Sequence, residues 1–118
     1  MRTLIEHPLD AATANTVAAF LERVARVFPL RSAVLFGSRA RGNFQPDSDA
    51  DLMVLLSGQR GQFMATKLAM ADMAFDVLLD TGIRVEPLPI WEDEWEHPNT
   101  WRNPHLLRNI ERDGVYIR

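Results

Sequence analysis

Two short apolar runs separated by twelve polar, turn-rich residues, Gly37 to Ser48, limit what this chain can become. Ser32 to Phe36 (S-A-V-L-F) and Asp49 to Leu56 (D-A-D-L-M-V-L-L) have the length and apolar character of buried strands. The G-S-R-A-R-G-N-F-Q-P-D-S stretch between them is dense in turn formers, and Ser57-Gly58 ends the second run. A strand, a long polar excursion and a second strand that begins on charge place functional groups at one end of a sheet.

The flanking segments supply cover for that sheet. Ala11 to Phe28 repeats Val17, Phe20, Leu21, Val24 and Phe28 at helical spacing, with Asp10 as N-cap candidate and Pro29 as stop. Gln62 to Leu79 reads as a second helix whose stripe is Met64, Leu68, Ala71, Phe75 and Leu78, widened by Phe63, Met70, Met73 and Val77. Thr81-Gly82 forms a turn, and Ile83 to Ile90 reads as a third strand. Pro87 and Pro89 cannot donate ladder hydrogen bonds, so this strand belongs at an edge or carries a bulge. After the acidic-aromatic run W-E-D-E-W-E-H comes a short helix, capped by Asn103, with Pro104 in its first turn and Gly114 past its end. The expected fold is α/β (α+β): one domain over residues 1–118, a small mixed sheet covered by helices.

Composition narrows the function. A formal charge of −3 over 118 residues argues against a long nucleic acid as ligand, while Arg39 and Arg41 remain available to a small phosphate. No cysteine is present, so there is no disulfide framework and no thiolate metal site. Apolar runs are broken by charge before they reach membrane-spanning length, and the start of the chain does not read as a signal peptide. A cytoplasmic protein is expected. His7, His97 and His105 lack metal-ligand spacing.

The chemistry is concentrated between Phe36 and Leu56. Gly37 lets backbone approach a ligand, and a helical turn after it would aim free N–H groups at an anion, with the Ser38 hydroxyl as a further donor. Asp49 and Asp51, two apart at the mouth of a strand, point to one side and can share a metal ion. Magnesium is commonly held by one or two carboxylates together with substrate phosphates. Other motifs fail on these residues. A Walker loop needs Lys then Ser or Thr where Asn43 and Phe44 stand, and a calcium loop needs glycine at Leu52 and glutamate at Gly58.

Gly37-Ser38, a gap of ten residues, then Asp49-Ala50-Asp51 resembles the G-S, ten-residue, D-x-D signature of the minimal nucleotidyltransferases of the polymerase-β superfamily. The resemblance implies that fold across nearly the whole chain. It also implies transfer of a nucleoside monophosphate, AMP from ATP first, onto a hydroxyl, with one or two Mg2+ ions. By that resemblance Gly37 and Ser38 contact nucleotide phosphates and Asp49 and Asp51 hold metal. Arg39, Arg41 and Ser48 stand close enough in sequence to serve the same nucleotide. Glu86, the only acid of the third strand, takes the place of a third catalytic carboxylate. Family members often act as the antitoxin beside a HEPN-type ribonuclease toxin, so a protein partner or self-association is an expectation. The alternatives are a module that binds nucleotide or partner without turnover, and a small-molecule-modifying transferase, for which the short chain leaves little acceptor-binding structure.

Overall fold

A computed structural model describes all residues from Met1 to Arg118. Helix α1 (Ala11–Val27) starts where the Asp10 carboxylate accepts from the Thr13 N–H at 3.0 Å, and stops before Pro29. Strand β1 (Leu30–Phe36) runs into Gly37, and a single turn of helix, α2 (Ser38–Arg41), follows. Strand β2 (Ala50–Leu56) pairs antiparallel with β1. Helix α3 (Phe63–Thr81) crosses back to β3 (Val85–Trp91), which lies parallel to β2. A short helix α4 (Glu92–Glu96), a 3-10 turn (Pro98–Thr100) and helix α5 (Pro104–Asp113) lead to a brief strand β4 (Val115–Tyr116), antiparallel to β1. The sheet order is β3-β2-β1-β4, a small mixed sheet flanked by helices as the pattern predicts.

Alternation along β2 builds a core on each face. Leu52, Val54 and Leu56 join Phe20, Leu21, Val24, Met70 and Val77 under α1 and α3, while Met53 and Leu55 join Val34, Ile90, Leu107 and Ile110 under α5. Strand β3 is an edge without a bulge, continuous in register from Val85 to Trp91. Its prolines fall at the alternate positions that face away from β2, where no ladder donor is required. Trp91, next in that phase, gives its N–H to the Glu94 carboxylate at 3.2 Å.

The expected stripe of α3 is corrected. Thr66, Met70, Ala74 and Val77 are buried, while Met64, Leu68, Phe75 and Leu79 are exposed. Apolar residues surround most of this helix, so their spacing fits two phases and only tertiary packing selects one. Strand β4 escapes sequence reading because two residues carry no period.

Candidate active site

The site gathers at the mouth of β2, where β1 ends and β3 begins. Phe36 pairs with Asp51 across the antiparallel ladder, and Asp51 pairs with Glu86 across the parallel one. Glu86 and Asp51 are therefore lateral neighbours on the face that also holds Met53, Leu55 and α5. Gly37 has φ +76°, and a Cβ there would lie 2.3 Å from the Asp51 Oδ2. Only glycine lets the backbone pass so close to this carboxylate in that conformation.

Asp51 is half-buried and makes no hydrogen bond or ion pair. Burial first, then the neighbouring Asp49 and Glu86 charges, raise its proton affinity above the ordinary carboxyl value, against a lowering by Arg41. The other two carboxylates share a cation. Arg84 places Nη1 3.4 Å from Asp49 and Nη2 3.2 Å from Glu86. Lys67, reaching from α3, donates to the Pro87 carbonyl at 2.7 Å and to Glu86 at 3.2 Å. Sequence reading missed both cations. The Arg84-Val85-Glu86 spacing could have placed Arg84 beside the acid, whereas Lys67 arrives only through the docking of α3.

The turn before these acids is the helical one expected after Gly37, but its two arginines part in role. Arg39 is a correction: its guanidinium is buried, donating to Thr13 Oγ1 (2.9 Å), the Ser48 carbonyl (2.9 Å) and the Pro46 carbonyl (3.1 Å), and it stacks 4.5 Å from the Phe44 ring centroid. It ties the loop to α1 instead of facing a ligand. Ser48 also serves the loop, its hydroxyl accepting from the Gln45 N–H at 2.9 Å. Arg41 is exposed, free of ion pairs, and close enough to favour the charged form of Asp51. Ser38, half-exposed at the start of α2, opens a turn whose first N–H groups have no carbonyl within the helix.

A divalent cation suits this donor set. Asp51 carries a partly desolvated charge with no ion-pair partner, and the Arg84 guanidinium already stands between two of the acids. No three acidic or histidine side chains form a closed cage.

The sequence profile described as nucleotidyltransferase domain matches residues 17–117. This chain belongs to the nucleotidyltransferase domain family. A solved structure of a candidate nucleotidyltransferase from Sulfolobus solfataricus has the same fold, with a TM-score of 0.52 and 23% identity over 88% of this chain and 78% of that one. No curated protein sequence matches the chain. Within this nucleotidyltransferase domain, no helix is long and apolar enough to cross a membrane.

Proposed function

We propose that the protein transfers AMP from ATP onto a hydroxyl with magnesium as cofactor. Membership of the nucleotidyltransferase family supports transfer of a nucleotidyl group. The observation that carries the finer reading is the convergence of the Gly37-Ser38 turn, Asp49, Asp51 and Glu86 at the mouth of the β1-β2-β3 ladder. Asp49 and Asp51 would hold the metal, and Glu86, level with Asp51 on the neighbouring strand, would share it or take a proton. When bound, magnesium offsets the negative charge that grows as the phosphoanhydride breaks. Gly37 and Ser38 would present backbone N–H and hydroxyl donors to the triphosphate, and the exposed Arg41 would add a positive charge. The acceptor oxygen bonds to the α-phosphorus and pyrophosphate departs. The acceptor's proton passes to Glu86, which Lys67 and Arg84 hold in place.

The Asp49 and Glu86 side chains are partly exposed, which supports a hydroxyl delivered by another protein in the cytoplasm. A HEPN-type toxin is the partner that the family resemblance suggests, with this chain as its antitoxin. The deciding experiment titrates ATP and magnesium into wild type and the Asp49→Ala, Asp51→Ala double variant, then follows label from α-phosphate-labelled ATP onto protein. Magnesium-dependent binding lost in the double variant, with label transferred by wild type alone, is the expected result. Absence of nucleotide binding at millimolar ligand would sink the enzyme reading. The second reading, a binding module without turnover, is favoured by the ion pairs that occupy Glu86. It predicts nucleotide or partner binding with no transferred label.

A further inference from the structure

Strand register sets which side of the site each part of the reaction would occupy. On the sheet face that α5 covers, Glu86, Asp51 and Phe36 stand side by side on β3, β2 and β1. Nucleotidyl transfer needs the attacking and leaving oxygens nearly in line through the phosphorus. An acceptor that gives its proton to Glu86 reaches the α-phosphorus from the β3 side. The bond from that phosphorus to the bridging oxygen then breaks on the opposite side, above Phe36, and its electron pair leaves with the pyrophosphate. The nucleoside is attached off this line, so what lies beyond Phe36 meets phosphate and not base.

A recess of about 240 Å³ lies there, between the Gly37–Arg41 turn and the last two turns of α5. Phe36, Leu106 and Ile110 make its apolar part, while Arg41, Asn109 and Arg112 bring polar groups to it. Charge at this end of α5 is uneven. Arg112 donates to Asp113 at 2.8 and 3.0 Å and holds that carboxyl below its ordinary value, with the Arg2 and Arg41 charges acting in the same direction. Three guanidinium groups therefore converge on one carboxylate. Arg41 also favours the charged form of Asp51, so it stands between the metal-binding acid and the recess. Arg112 and Asp113 are both well exposed, which makes their ion pair weak and easily exchanged. The exposed Asn109 amide has no side-chain hydrogen bond in the chain. Apolar walls beneath a cationic rim concentrate its field on an anion. We infer that Asn109 and Arg112 of α5, together with Arg41, hold the departing pyrophosphate, and that Asp113 competes with it for Arg112. The inference rests on the transferase reading above, with Glu86 on the acceptor side.

Magnesium tripolyphosphate, which has the tail of ATP without its nucleoside, is the probe. Calorimetric titration into the whole chain should show binding that Arg112→Ala weakens about five- to tenfold and Asn109→Ala about threefold. Asp113→Asn should act in the opposite direction, tightening it about two- to fivefold, because a competing carboxylate is gone. Arg26→Ala, an equal loss of charge on α1 across the sheet, should leave it unchanged. All four side chains are exposed, so urea midpoints close to wild type will separate a lost contact from a lost fold. AMP lacks the outer phosphates, so Arg112→Ala and Asn109→Ala should bind it as wild type does. In label transfer from ATP, added pyrophosphate should inhibit Arg112→Ala about five- to tenfold more weakly than wild type. Label transfer by wild type with tripolyphosphate binding untouched in all three α5 variants overturns the inference and leaves the transferase reading standing. The expected order of affinities without label transfer supports the recess as a polyphosphate site and removes the transferase reading. A wild type that fails to bind tripolyphosphate, or variants that lose AMP as strongly as tripolyphosphate, also overturns the inference.

Discussion

Asp51 and Glu86 occupy facing positions on adjacent parallel strands, and no cation stands between them. Glu86 is compensated from its outer side by Lys67 and Arg84, whereas Asp51 has Gly37 over it and no ion pair. Paired carboxylates with unequal compensation suit a site that takes up a positive ion. Glu86→Gln should therefore weaken magnesium-dependent turnover by about 10²- to 10⁴-fold, the usual span for a general base. Nucleotide binding should change by less than about tenfold, because Gly37, Ser38 and Asp49 remain. Single-turnover label transfer beside equilibrium binding measures both, and undiminished turnover would remove Glu86 from the chemistry.

Asp51→Asn should abolish metal-dependent binding while stabilising the metal-free protein. The raised proton affinity of Asp51 means that the folded chain holds its proton more tightly than the unfolded chain does. Stability from this group is thus greatest below the unfolded value of 3.8, falls as pH rises through the raised folded value, and is lowest at neutral pH. The variant lacks that penalty. Its melting temperature should exceed that of wild type at pH 7, and the gap should narrow as pH falls toward the unfolded value of 3.8. Millimolar magnesium should stabilise wild type alone. A variant less stable than wild type at every pH contradicts a destabilising burial of the Asp51 charge.

Most of this arrangement was legible in the sequence, and the exceptions share a cause. The Gly37-Ser38 turn after β1 and Asp51 near the start of β2 follow from local spacing, and Asp49 stands one residue before that strand. The α3 stripe was misread because Met64, Leu68 and Phe75 fit a helical period as well as Met70, Ala74 and Val77 do. Arg39 looked like a ligand contact because its type suits phosphate. Its burial follows from Thr13, 26 residues away, which no local pattern reveals. Lys67 likewise meets Glu86 only once α3 docks on β3.

Gly37→Ala should damage the site through backbone and side chain together. With φ +76° and ψ −161°, a region essentially closed to residues with a side chain, the alanine is strained by about 1–3 kcal/mol, and its methyl would clash with the Asp51 carboxylate. Urea unfolding should show a loss of that size, and magnesium-dependent nucleotide binding should fall by more than the stability loss alone explains. Gly42→Ala, also at positive φ but with open space around its Cβ, should lose stability and keep the binding.

Arg84→Met should tighten divalent-cation binding, by about two- to fivefold, since the guanidinium competes for Asp49 and Glu86. Both pairs are well exposed, so the accompanying loss of stability should stay below ~1 kcal/mol. Manganese titration followed by electron paramagnetic resonance reads the affinity directly. Weaker binding would mean that Arg84 orients the acids and does not compete for them.

Arg39 and Arg41, two residues apart on one turn, should respond in opposite ways. Arg39→Ala leaves the Ser48 and Pro46 carbonyls and the Thr13 hydroxyl without their shared donor, and removes the cation from the Phe44 ring. A loss of about 2–4 kcal/mol in unfolding free energy follows from breaking a buried, charge-assisted network. Arg39→Lys should recover only part of it, because one ammonium cannot reproduce a planar fork spread over three acceptors. Arg41 has no such network, so Arg41→Ala should leave the unfolding midpoint within about 1 °C of wild type. Its effect should appear in ligand affinity: losing one exposed positive charge beside the proposed triphosphate site should weaken ATP binding by about three- to tenfold, more at low salt than at high. Denaturant melts and calorimetric titration on the same preparations separate the two roles. Equal stability losses in the two variants would show that Arg41 also belongs to the loop's framework.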